Sequence, residues 1–161
     1  MTRMLRWMLV VTITLSMTAV ACSEDDDPGS GGGSISVSDV WGWSSTPDRG
    51  AVYFTVENTG GEADRITGAA SDVAGTVQVH ETTMVDGTAQ MGEVDAVEVP
   101  AGGSVTFEPG GYHVMLMDIS EPLEVGSSID VTLTFEGFGD VPVSAEIREF
   151  TGEAMGDEGE M

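Results

Sequence analysis

The sequence predicts an all-β domain, and three features predict it. Short runs rich in Val, Thr and aromatic residues recur at intervals between residues 35 and 150. Glycine pairs at Gly60-Gly61, Gly102-Gly103 and Gly110-Gly111, with Pro47, Pro100 and Pro109 in or beside loops, punctuate those runs, as turn chemistry requires. Outside the N-terminal segment no long stretch repeats an apolar residue at helical spacing, so little helix is expected. Such spacing points to a sandwich or a barrel. The 116 residues from 35 to 150 are enough for a single domain with one core.

Eight runs carry the strand signal. The first, 35–41, sets Ile35 and Val37 between serines and ends on Trp41. The second, 51–58, is Ala-Val-Tyr-Phe-Thr-Val-Glu-Asn, dominated by β-branched and aromatic residues. In 76–82, Val77 and Val79 share one face while Gln78 and His80 share the other, because successive strand side chains point to opposite sides. Two short pieces follow at 96–99 and 104–108, parted by Pro100 and Gly102-Gly103. In 112–119 the same period puts His113, Met115 and Met117 on one side and Val114 with Leu116 on the other. The runs 129–136 and 141–150 complete the set. The stretch between Asp86 and Val94 is expected to be a loop that carries Met91, with Met84 in the same region.

The N-terminus has the form of an export signal. Arg3 and Arg6 precede an apolar run from Trp7 to Val20, followed by Ala19-Val20-Ala21-Cys22. Thr12, Thr14, Ser16 and Thr18 interrupt the run, which falls short of the roughly 20 apolar residues that span a bilayer. Cys22, the single cysteine, stands where a bacterial lipoprotein signal places the lipidated residue, although Ala19 replaces the more usual Leu. The expected organisation is a lipoprotein signal over 1–21, a lipidated Cys22 with an acidic, Gly- and Ser-rich tether over 22–34, the domain over 35–150, and a disordered acidic tail over 151–161. Acyl chains would then hold the protein at the outer face of the cytoplasmic membrane.

Removing residues 1–21 takes away two of the five arginines and none of the 28 acids, so the mature charge is 3 − 28 = −25. Lysine is absent from the chain. Nucleic acid and anionic lipid are poor partners for such a surface, since phosphate is neutralised by Lys and Arg.

Both histidines belong to a methionine-rich constellation. Ten residues separate His80 from Met91, twenty-one separate Met91 from His113, and one separates His113 from Met115. Imidazole suits several metals, whereas the soft, polarisable thioether selects copper, above all Cu(I). Met84 and Met117 are further sulfur donors near that set. A strand methionine is more often gap-filling core, but Met91 lies in a polar, Gly-containing stretch where a core role is hard to find.

This pattern resembles the periplasmic copper chaperones of the PCu(A)C type, whose motif is His, ten residues, Met, twenty-one residues, His, one residue, Met. His80, Met91, His113 and Met115 match it without insertion or deletion. The stretches 51–60, 99–103 and 109–117 look like family signatures as well. The resemblance implies a cupredoxin-like Greek-key β-sandwich. It also implies delivery of Cu(I) toward the dinuclear copper centre of cytochrome c oxidase. The receiver would be subunit II of that enzyme or a thioredoxin-like copper insertion protein. Some members carry a His- and Met-rich tail for a second ion; here 151–161 has Met155, Met161 and four acids but no His.

Competing readings are weaker. A blue-copper electron carrier needs a cysteine thiolate in the domain, and Cys22 lies outside it. An enzyme is not expected, because no His-Glu-x-x-His, Gly-x-Ser-x-Gly or phosphate loop occurs. The remaining alternative is a metal-free exported lipoprotein with an immunoglobulin-like sandwich, acting in adhesion or assembly. Trp41 and Trp43 share a face, where core or rim packing is the simpler role and partner docking the other.

Overall fold

The computed structural model describes residues 34–150. The signal segment, Cys22, the tether up to residue 33 and the tail lie outside the described residues. Ten strands form: β1 (Ile35–Thr46), β2 (Arg49–Asn58), β3 (Asp64–Ala70), β4 (Ala74–Val85), β5 (Thr88–Glu93), β6 (Val97–Val99), β7 (Ser104–Phe107), β8 (Tyr112–Ile119), β9 (Ser128–Phe135) and β10 (Gly139–Ile147). Among the described residues there is no helix. All eight expected runs are strands, within a few residues at their ends, and β3 and β5 are additional.

The stretch expected to be a loop is therefore in part a strand, and Met91 sits on β5. Its sequence, Thr-Ala-Gln-Met-Gly-Glu, has little intrinsic strand preference. The strand exists because the turn before it dictates the pairing. Asp86 and Gly87 both have positive φ, 51° and 77°, the conformation that a two-residue hairpin loop with an Asp-Gly sequence adopts. That turn sets Val85 against Thr88 and carries the register on to His80 against Glu93.

Neighbouring strands run β5-β4-β8-β2-β1-β10-β9-β3-β6, with β7 paired to β2 beyond β8. Each pairing is antiparallel except β1 with β10. The ladder folds over as a β-sandwich, because both halves feed one core. Val79, Val114, Leu116, Val52, Phe54 and Val56 come from β4, β8 and β2; Ile66, Ile129, Val131, Leu133, Phe135, Ala145 and Ile147 come from β3, β9 and β10. Phe54 and Phe107 stack with centroids 4.3 Å apart and an interplanar angle of 19°.

Polar groups fix the loops at the rim of this core. The Asn58 side chain, buried, donates to the carbonyls of Glu62 and Val99 and accepts from the Gly60 N–H. Asp64 accepts from the N–H groups of Arg65, Gly137 and Phe138, which ties the β9–β10 turn to β3. Among the described residues no buried side-chain nitrogen or oxygen lacks a partner.

Candidate metal centre

The site lies on the face of β4 and β8 turned away from the core. On β4, Val79 is buried in the core while Gln78 and His80 point the other way, as the period of two requires. On β8, Val114 and Leu116 are fully buried and His113, Met115 and Met117 occupy the opposite face. Register then decides which donors meet, because directly paired residues in antiparallel strands present their side chains to the same side.

His80 pairs directly with His113, and the two ring centroids are 5.6 Å apart at an interplanar angle of 62°. One step along the strands, Met115 pairs with Gln78 on β4 and with Ala51 on β2. One step in the other direction, Met91 pairs with Thr82, on the face that holds His80. Met117 lies beyond Met115, opposite Thr76, and Met84 lies beyond Thr82, opposite Ala89. All six expected donors thus share one face of β5, β4 and β8, and β2 supplies the wall beside His113.

That wall is aromatic. Tyr53 on β2 stands 6.3 Å from His113, centroid to centroid, and Trp41 packs on Tyr53 at 4.7 Å. The Trp43 indole N–H donates to the Tyr53 hydroxyl at 3.2 Å, and Trp43 packs in turn against Phe150. The two tryptophans therefore take the packing role. Sequence reasoning passed over Tyr53, which belongs to a run so apolar on both faces that period alone does not show it as a neighbour of His113.

Hydrogen bonds define the imidazole lone pairs. His113 Nδ1 lies 3.3 Å from the Gly111 carbonyl, which only accepts, so Nδ1 carries the proton and Nε2 presents a lone pair. The Gln78 amide donates to the Glu93 carboxylate at 2.9 Å, which turns its oxygen toward His80 Nε2 at 3.0 Å. His80 Nε2 is then the donor and Nδ1 holds the lone pair. Gln78 and Glu93 orient the ring in the manner that outer partners orient metal-binding histidines. Strand parity with His80 is the signal that marks Gln78 in the sequence, whereas Glu93 needs the hairpin register.

Exposure falls steeply across the site. Met91 is 66% exposed and His113 only 3%. Burial holds the His113 imidazole below its ordinary value of 6.5, with the charge of a protonated His80 adding to the shift and the Gly111 carbonyl opposing it. In the unfolded chain His113 takes a proton as pH falls through about 6.5, while the folded chain takes it only at lower pH. Over that window the unfolded state binds more protons, so His113 makes the fold lose stability as pH falls. The thermal midpoint of the parent is expected to drop relative to His113→Gln on acidification below about pH 6.5. A difference between the two proteins that stays constant with pH would contradict this environment.

Among the described residues no group of three His, Cys, Asp or Glu side chains has metal-holding geometry. Two imidazoles flanked by thioethers fit a soft ion.

Fold and site together define a β-sandwich with a His- and Met-lined face at the edge of its sheet. The LpqE-like family, described as "Putative lipoprotein LpqE-like", matches residues 35–147, and the chain belongs to it. "Putative lipoprotein Lxx21020" of Leifsonia xyli subsp. xyli is 35% identical over 119 residues, 73% of this chain and 72% of that protein. Among solved structures, the copper-bound PCuAC domain from PmoF2 is 30% identical with a TM-score of 0.60, covering 72% of this chain and 93% of that one. The Cu(I) form of DR1885 from Deinococcus radiodurans is 28% identical with a TM-score of 0.56, covering 71% and 80%.

Proposed function

We propose that the protein is an extracytoplasmic copper chaperone that holds Cu(I) through His80, Met91, His113 and Met115. The observation that carries this reading is the register: a motif spread over 36 residues (115 − 80 + 1) is drawn onto three adjacent strands with the two imidazoles directly opposed. Similarity to copper-bound PCuAC domains supports the choice of ion. Thioethers and neutral imidazoles suit Cu(I), and they release it more readily than thiolates, as delivery to a partner demands.

The donors divide into two classes. His113 and Met115 sit on β8, flanked on both sides by paired strands, and stay in place. Met91 sits on edge strand β5, and His80 stands between the two, so these leave the ion one at a time as a receiving protein supplies its own ligands. The receiver we propose is the assembly route of the dinuclear copper site of cytochrome c oxidase, through subunit II or a thioredoxin-like insertion protein. Cys22 lipidation would keep the chaperone at the outer face of the cytoplasmic membrane, and the "lipoprotein" descriptions of its family and relative support that placement.

The test is a competition titration of the protein against a coloured Cu(I) chelator. One equivalent bound without visible absorption of its own is the expected result. No competition at any chelator ratio, or an intense blue Cu(II) form, would remove the chaperone reading.

A further inference from the structure

We infer that Met84 and Met91 form a second, outer Cu(I) station at the tip of the β4–β5 hairpin, through which the ion enters and leaves the four-residue site. The inference rests on the copper reading above and adds a site to it.

Three observations carry it. First, the hairpin register sets Met91 opposite Thr82 and Met84 opposite Ala89, so the two methionines are diagonal neighbours on the face that holds His80. Diagonal pairs stand about 7–8 Å apart, within reach of long side chains. Methionine is unbranched with three rotatable bonds, which lets both sulfurs turn to one ion. The Asp86-Gly87 turn holds this register in place.

Second, neither sulfur has a packing role. Met84 is 68% exposed and Met91 66%, and neither belongs to the core cluster or its border. Met91 is accounted for by the four-residue site; Met84 is not. Nothing else on the hairpin uses it, and its neighbours on that face are Thr82, Ala89 and Met91.

Third, exposure rises toward the hairpin tip. His113 is buried, with Tyr53 beside it on β2 and Trp41 packed on Tyr53. Along the hairpin, accessibility rises from His113 through His80 to Met91 and Met84. An ion passed between proteins needs an incoming donor before the last outgoing one lets go. Met84 supplies such a donor at the solvent end of the path. Thioethers carry no proton, so each exchange swaps one neutral ligand for another and copper stays Cu(I) throughout.

The experiment compares Met84→Leu with the parent, both as the whole protein. Cu(I) affinity of the first equivalent should be unchanged, since Met84 lies outside the four-residue site. Rates of uptake from and release to a coloured chelator should each fall about tenfold, the equivalent of about 1.4 kcal/mol of barrier. With methyl-labelled methionine and Ag(I) as a soft probe, the titration should shift the Met84 methyl signal along with that of Met91, because the two sulfurs share the passing ion. Parental transfer rates in Met84→Leu, or a Met84 signal unmoved by Ag(I), would overturn the outer station while leaving the chaperone reading standing. A parent protein that takes up no Cu(I) would overturn both.

Discussion

His113→Ala is expected to reduce Cu(I) affinity by more than about 100-fold, because removing a group that only orients a metal ligand already costs about 10–100-fold. His113 is the most constrained donor of the set. It is 3% exposed, its Nδ1–H is held by the Gly111 carbonyl, and its ring lies between His80 and Tyr53. No other imidazole can take its place, since His80 is the only other histidine in the chain. Met91→Ala is expected to have a smaller effect, as Met91 is exposed on the edge strand β5. A chelator competition titration reads both variants, with the unfolding midpoint measured alongside to confirm that each is folded. Equal losses for the two variants would argue against a division between fixed and exchangeable donors.

Phe54→Ala is expected to destabilise the fold by about 3–5 kcal/mol, the range for truncating a buried aromatic residue. Phe54 is 1% exposed and stacks on Phe107, itself 1% exposed, across the β2–β7 pairing. Truncation loses the transfer energy of the ring and leaves a cavity that the surrounding paired strands close only in part. Against a total stability of about 5–15 kcal/mol, the loss leaves little margin. Denaturant unfolding measures it directly, and a change under about 1 kcal/mol would mean that the pair is not the centre of the core. Because β2 also forms the wall beside His113, the same variant links packing to the site. Loss of the Phe54 ring should broaden the signals of Tyr53 and His113 before the fold is lost.

The strands that were legible in the sequence are those whose residues bear the strand preference themselves. β2, β8 and β9 are rich in Val, Ile, Leu, aromatic residues and Thr, and in β8 and β9 the period of two locates the core face. β3 and β5 were not legible. Asp-Arg-Ile-Thr-Gly-Ala-Ala and Thr-Ala-Gln-Met-Gly-Glu have too few β-branched residues to signal a strand. Tertiary pairing creates them: β3 is held between β9 and β6, and β5 follows from the Asp86-Gly87 turn. The relocation of Met91 from a loop to an edge strand is the consequence that matters for the site.

For the site itself, parity on β4 and β8 placed Gln78 with His80 and placed His113 with Met115 and Met117, and the register agrees. What parity could not supply was which strands are neighbours. Only the β4–β8 ladder opposes His80 to His113, and only the hairpin brings Met91, Met84 and Glu93 to their side. The Glu93–Gln78–His80 chain and the Tyr53 wall depend on contacts between residues 15 and 60 positions apart, beyond the reach of local pattern.

The central claim is that two imidazole nitrogens and two thioether sulfurs converge on one soft ion. X-ray absorption at the copper edge of the Cu(I)-loaded protein measures this donor set directly. The account predicts nitrogen and sulfur scatterers in equal number, with sulfur lost stepwise in Met91→Ala and Met115→Ala. A shell of nitrogen and oxygen alone, unaltered by those two substitutions, would contradict it.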